Sequence, residues 1–322
     1  PVYPKIPDGN YTIRNLNSGL FISSDGNNVI QGDKENWTLD DLIDTYHEHP
    51  DMQLSNYINS KEAVFEMLVN CCESLVDYDK AECHFDSDEF KKILEFCNEF
   101  PDEDEQINWE TASQEEMDEY YQEQETMCLN DKALLGDVSL YELGAYAQAK
   151  DVVFNDDITL VGVPSDNGKG AMVSMDNSFA ILESSPSKDA CWEFIKSFFT
   201  DEYFTNNQYI YGLPSTVSAF EQKAEDSMHK PYYLDENGEK VEYENTYIIG
   251  GKEVTIEPLT KDEKDFIVDY VKKADRIYNG FSGEVREIIT EEVTKYFKGE
   301  ADAQQTIDKL QSRIGILVSE QS

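Results

Sequence analysis

The chain has 322 residues, 39% apolar and 29% charged, with Phe 16, Tyr 19 and Trp 3; that is ample packing material and excludes a disordered chain. Against 26 Lys and Arg stand 67 Asp and Glu, a net charge of −41. Such a surface repels phosphate backbones and anionic lipid head groups, which excludes nucleic acid as a partner.

The length predicts two domains or one large one. Residues 1–36 read as a short β-rich segment: Tyr11 to Arg14 and Leu20 to Ser23 cluster β-formers, separated by Asn15, Asn17, Ser18 and Gly19, which is a hairpin signal. Val29 and Ile30 suggest a third short strand. From Trp37 the pattern turns helical. Thr38 is placed to cap a helix whose first turn holds Asp40 and Asp41, with Leu39, Leu42, Ile43 and Tyr46 at helical spacing and Pro50 as its stop. Ser60 opens a second helix carrying Val64, Phe65, Leu68, Val69, Cys72 and Val76, and Ser87 a third that ends before Pro101. A very acidic helix over 113–128 carries Met117, Tyr120 and Tyr121.

Strands then alternate with helices, which predicts α/β layering. Lys132 to Leu135, Ile158 to Val163, Met172 to Ser174 and Phe179 to Leu182 read as strands, and 138–149 as helical. Ser187 is placed to cap a helix whose Ala190, Cys191, Phe194, Ile195 and Phe198 would pack on a sheet, with Trp192 as core. Residues 231–258 read as a β-hairpin excursion, and helices return at 261–278, 284–298 and 302–318.

Catalytic motifs are missing. There is no G-x-S-x-G elbow. The glycines at 162, 168 and 170 have the wrong spacing for a phosphate loop, and Pro164 interrupts them, so they read as a turn between strands. Six cysteines, at 71, 72, 83, 97, 128 and 191, include no C-x-x-C, and the four histidines include no H-E-x-x-H, so no metal site and no cofactor is expected. With no D-x-[DN]-x-[DN]-G-x₅-E loop, no calcium site is expected either. Among 67 acidic residues chance carboxylate pairs are numerous, so spacing identifies no glycosidase acid and nucleophile.

Four stretches together resemble the family 1 extracellular solute-binding proteins that feed ABC transporters. They are Trp37 to Leu42; Cys83 to Phe90, running to Phe96 and Phe100-Pro101; Ile158 to Pro164 with Gly168-Lys169-Gly170, then Phe179 to Ile195; and Ile288 to Glu300 through Ile307 and Leu310 to Arg313. The resemblance covers roughly 37–322. It implies an α/β fold of the periplasmic-binding-protein type II, with two lobes of which the first is incomplete. The implied division puts 37–170 and 271–322 in lobe two and 171–270 in the rest of lobe one, with 1–36 as a cap on a sheet edge or a fusion remnant. Asp8 to Leu20 resembles the opening of one ricin-type β-trefoil repeat, where a trefoil needs three. Gln311 and Arg313 read as ties that hold the last helix down.

By that resemblance the chain is expected to be a non-catalytic, extracellular and cell-surface-associated binder of a sugar or oligosaccharide, serving an ABC permease. An unpaired sheet edge offers a route to a homodimer. The residues expected at the ligand are Asp137, Ser139 and Tyr141 after a central strand, Tyr211 from lobe one, and Phe281 with Ser282 at the start of a C-terminal helix. Two alternatives stand beside this: a protein-interaction module derived from such a binder, and a glycoside-active enzyme.

Overall fold

The computed structural model describes residues 19–24, 38–69, 72, 75–102, 107–109, 111–155, 158–164, 170–174, 179–206, 212–274, 276–277 and 281–321; of 19–24, 137, 205–206, 276–277 and 321 it describes the backbone alone. The expected strands at 11–14 and 29–30 lie outside these.

The first half alternates short strands with capped helices. Strand β1 (Gly19–Ser24) is followed by α1 (Leu39–Glu48), β2 (Gln53–Ser55) and α2 (Lys61–Leu68). A ribbon of β3 (Val76–Asp77) and β4 (Glu82–Cys83) leads to α3 (Asp88–Cys97) and α4 (Gln114–Thr126). The caps fall where the sequence places them. Thr38 and Asp41 form a reciprocal capping box, Ser60 accepts from the Ala63 amide, and Ser87 from that of Phe90. Helix α2 stops at Leu68, and Val76 belongs to a strand rather than to the end of that helix.

Next come β5 (Ala133–Ser139) and α5 (Gly144–Gln148), which widens into a π-helical turn over Ala149–Phe154. Strands β6 (Ile158–Leu160) and β7 (Met172–Val173) precede α6 (Lys188–Ser197), α7 (Asp201–Asn206) and α8 (Val217–Asp226). The excursion is two hairpins: β8 (Tyr232–Leu234) with β9 (Lys240–Glu242), and β10 (Thr246–Ile249) with β11 (Lys252–Thr255). Then follow α9 (Lys261–Lys273), β12 (Arg276–Ile277), α10 (Gly283–Phe297) and α11 (Ala303–Gln321).

One four-stranded sheet organises the middle, in the order β2-β5-β1-β6. β2 runs parallel to β5, and β1 runs antiparallel to both β5 and β6. So β1 lies inside the sheet and not on its edge. Gly19 to Ser23 pair with β5 and Ile22 to Ser24 with β6, which joins the N-terminal strand to the sheet from both sides.

Two hydrophobic cores flank this sheet. The first gathers α1 to α3, Leu134, Leu135, Val163, Met172 and the apolar faces of α10 and α11; Phe85, Phe90, Ile93, Leu310 and Ile314 are among its fully buried members. The second gathers Met127, Cys128, Val138 to Leu160, Val173 and α8 and α9. The segment 127–160, expected with 37–100, thus supplies most of its apolar side chains to the second core. The backbone passes from the first core to the second between Phe100 and Met127 and returns between Ala274 and Val285; in between, β5 and the stretch from Leu160 to Val173 each lend residues to the first core.

Ties at the C-terminus match the sequence reading. The Gln311 amide donates to the Cys83 carbonyl at 2.7 Å and accepts from the Phe85 amide at 2.9 Å. Arg313 meets Glu291 at 2.7 Å and also bonds Glu292, whose side chain is only 4% exposed.

Helix α6 departs from expectation. It has no buried residue, Ser187 makes no capping bond, and Phe179 to Leu182 is not a strand. Phe194 and Leu182 are exposed, and Phe179 stacks on Phe198 at 5.0 Å between centroids. No described residue from Ser174 to Gly212 belongs to either core. The apolar stripe is as predicted, but among the described residues no sheet lies against it, so Trp192 is half-buried and not core.

Candidate functional site

In open α/β sheets ligands settle beyond the carboxyl ends of parallel strands. Here β2 and β5 are that parallel pair, with Ser55 opposite Leu135. Asn56 to Ser60 therefore leaves the sheet at the same end as Asp137 and Ser139.

The loop after β2 is built to be stiff. The Ser55 amide donates to Asn59 Oδ1 at 3.1 Å, Asn59 Nδ2 donates back to the Ser55 carbonyl, and the Ser55 hydroxyl donates to Asn56 Oδ1 at 3.2 Å. Ser55, Asn56, Asn59 and Ser60 are all buried, while Tyr57 is 49% exposed. Buried hydrogen bonds of this kind hold a loop in one conformation, so the ring of Tyr57 is presented from a fixed base.

Other aromatic side chains join it. Tyr120 and Tyr121 lie on α4, and Trp109 meets them edge-on and tilted at centroid distances of 5.5 and 5.7 Å. Tyr247 of β10 donates its hydroxyl to Glu125 at 3.1 Å. Burial pushes the Tyr57 phenol up, and the charges of Glu125, Tyr247, Cys128 and Tyr120 act in the same direction. Burial and the Glu125 carboxylate raise Tyr247 likewise. Tyr57 comes from the loop after β2, whose Leu54 is in the first core; α4 runs into Met127 and Cys128 of the second core, as does β10 through Ile249. The aromatic cluster thus stands where the two cores meet.

The residues expected at the ligand fall into two groups. Asp137 lies in β5, its backbone paired with Phe21. Ser139 closes that strand, and its carbonyl accepts from the Tyr141 amide at 2.9 Å in a tight turn. Tyr141 is half-buried against the second core. Where the chain returns to the first core, Phe281 packs on that core and Ser282 caps α10, while the Ser282 amide donates to the Tyr78 hydroxyl at 3.2 Å. Tyr211 lies outside the described residues. Tyr141 rests on the second core and Phe281 on the first.

Sequence reasoning passed over Tyr57, Trp109, Gln124, Glu125 and Tyr247. The available signals were a tyrosine bracketed by Asn56 and Asn59 and a Tyr-Tyr pair on an otherwise acidic helix. Two open grooves lie nearby or apart. One of about 460 Å³ runs between α4 and the β10–β11 hairpin, with Glu119, Glu123 and Lys252 on its walls. Another, of about 500 Å³, runs between α8 and α9 and is lined by paired charges such as Lys264 and Glu225. Among the described residues no three His, Cys, Asp or Glu side chains come together to hold a metal, and no helix is long and apolar enough to cross a membrane.

No protein-family model matches the sequence, and no curated protein matches it. Solved structures do match the fold. The sugar-binding protein MalE of Xanthomonas citri superposes with a TM-score of 0.52 at 12% identity, over 95% of this chain and 70% of that one. The cyclic alpha-maltosyl-1,6-maltose binding protein of Arthrobacter globiformis gives 0.51 at 13% identity, over 95% and 71%. A family 1 extracellular solute-binding protein of Alicyclobacillus acidocaldarius gives 0.51 at 12% identity, over 97% and 73%. The chain therefore has the α/β fold of the periplasmic-binding-protein type, as expected from its sequence, and spans a little under three quarters of the length of these neighbours.

Proposed function

We propose that this protein is a non-catalytic, extracellular solute-binding protein of an ABC importer and that its ligand is a carbohydrate. The observation that carries the reading is the aromatic cluster of Tyr57, Trp109, Tyr120, Tyr121 and Tyr247, set at the carboxyl end of β2 and β5 where the two cores meet. Aromatic faces stack on the apolar faces of sugar rings, while Glu125 and the phenols offer acceptors and donors to hydroxyls. Neighbours of the same fold are named for oligosaccharide or sugar binding, which supports the same ligand class here. The importer permease is the partner that this reading implies.

A thermal melt of the purified protein against mono- and oligosaccharides tests it. A ligand held only by the native state raises stability by about 2.7 kcal/mol at a hundredfold excess over its Kd. A concentration-dependent shift with one sugar class, reduced in Trp109→Ala, is the expected result. A cooperative melt that no saccharide moves would count against the reading.

A second reading, a protein-interaction module, is favoured by the uncovered aromatic face of α6, where Phe194 is 62% and Leu182 75% exposed. An exposed apolar face of that kind marks protein contact. Sedimentation that shows association, abolished by Phe194→Asp with saccharide binding absent, would select it.

A further inference from the structure

Three features of the aromatic cluster bear on the charge of what it holds. First, Glu125 sits half-buried among the rings, accepts the Tyr247 hydroxyl, and among the described residues has no lysine or arginine within ion-pair distance. Second, α4 carries Glu115, Glu116, Asp118, Glu119, Glu123 and Glu125 and no basic residue. Lys132, after its end, is engaged with Glu123 at 3.9 Å. Third, Gln124 is 5% exposed and its Oε1 has no hydrogen-bond partner. Gln124 lies four residues after Tyr120 on α4, and the Tyr120 ring meets Trp109 at 5.5 Å. Residues at that spacing share a helix face, so Gln124 lies on the face of α4 that carries the Tyr120 ring.

An unpaired carboxylate, a buried acceptor without a donor and several aromatic faces together suit a group that carries several N–H donors and a positive charge. A neutral hydroxyl would satisfy Gln124 but leave Glu125 without a counter-charge. An anionic sugar would meet the whole acidic helix. On the reading that this cluster is the saccharide site, we infer that the ligand is an amino sugar with a free ammonium group, such as an unacetylated glucosamine oligomer. Its rings stack on Trp109 and Tyr57, and its ammonium donates to Glu125 and Gln124 Oε1.

The test is calorimetric titration of the intact protein, at mildly acid pH and low salt. The probes are glucosamine tetramer, its fully N-acetylated counterpart, a neutral glucose tetramer and an oligogalacturonate. The expected result is at least tenfold tighter binding of the free amine than of the acetylated form, no binding of the uronate, and a preference that shrinks as salt rises. Glu125→Gln should remove the tenfold preference for the free amine over the acetylated form. The wild-type comparison alone decides the matter if that variant folds poorly. Equal or tighter binding of the neutral or acetylated oligomer overturns the inference and leaves the carbohydrate reading standing. Failure of all four probes to bind a cooperatively folded protein overturns both.

Discussion

Tyr247 and Glu125 are 122 residues apart in sequence, yet the phenol donates to the carboxylate at 3.1 Å, and this bond joins the β10–β11 hairpin to α4. Burial raises both Tyr247 and Tyr57, and Glu125 adds to the rise because each phenolate would face a negative charge. In an ultraviolet titration, Tyr57 and Tyr247 should therefore ionise above the ordinary phenol range, together with Tyr46, Tyr270 and Tyr296, which burial also raises. Glu125→Gln should lower both without touching the rest. If neither moves, Glu125 does not face the two rings.

The aromatic platform should separate binding from stability. Trp109→Ala and Tyr57→Ala are each expected to weaken saccharide binding by about 1–2 kcal/mol, the scale of a lost aromatic contact. Both positions are at least one-third exposed, so their melting temperatures should change little. Tyr141→Ala, at a side chain packed on the second core, should do the reverse and cost stability before affinity. Fluorescence titration beside thermal melts distinguishes the two patterns.

Gln311 replaces a missing strand neighbour for β4. Its side chain serves the Cys83 carbonyl and the Phe85 amide at once, next to the fully buried Phe85 ring. Gln311→Ala leaves both backbone groups without partners and should cost about 1–3 kcal/mol in urea unfolding. Gln311→Glu can still accept from Phe85 but cannot donate to Cys83, so it should fall between the two.

Acid should loosen the C-terminal pair of helices. Hydrogen bonds from Lys295 and then Arg313 hold the Glu291 carboxyl down at about 2. Burial pushes Glu292 up, but the same two cations more than offset it and leave it lowered. A carboxylate whose folded pKa is depressed contributes stability that is complete above its unfolded value of about 4.3 and is lost as pH falls through the folded value. Stability from this contact should thus decline between about pH 4.5 and pH 2. Arg313→Ala should flatten that decline and cost about 1 kcal/mol at neutral pH, the exposed cation being screened. An unchanged acid limb in the variant would place the acid sensitivity elsewhere.

Local chemistry was legible in the sequence, and tertiary partnership was not. The caps at Thr38, Ser60 and Ser87 depend on residues three positions away, and the structure shows all three. The ties at Gln311 and Arg313 were read from a resemblance, and they hold. Ser187 begins a helix but caps nothing, and the strand expected at 179–182 is not there, because a strand exists only with a neighbour to pair with. The site shows the same divide. Ser139 and Tyr141 were expected in a helical stretch after a strand ending at Leu135, but the strand runs on to Ser139 and the helix begins only at Gly144. Tyr57, Trp109 and Tyr247 come together only because β2 pairs with β5 and a remote hairpin leans on α4. No spacing along the chain encodes that meeting.

The passages of the backbone between the cores bear on what the molecule can do mechanically. At one of them the Gly162 and Gly170 backbones lie so close that a β-carbon on Gly162 would fall 2.2 Å from the Gly170 carbonyl carbon, and Gly162 has φ +70. Val163 donates to the Gly170 carbonyl at 2.9 Å, and nearby β7 pairs with β12 of the last passage. Strands laced side by side in this way act as a leaf spring. They bend across their width by small changes in a few dihedrals, but twist or slip only by breaking the bonds between them. A side chain at Gly162 would jam the spring.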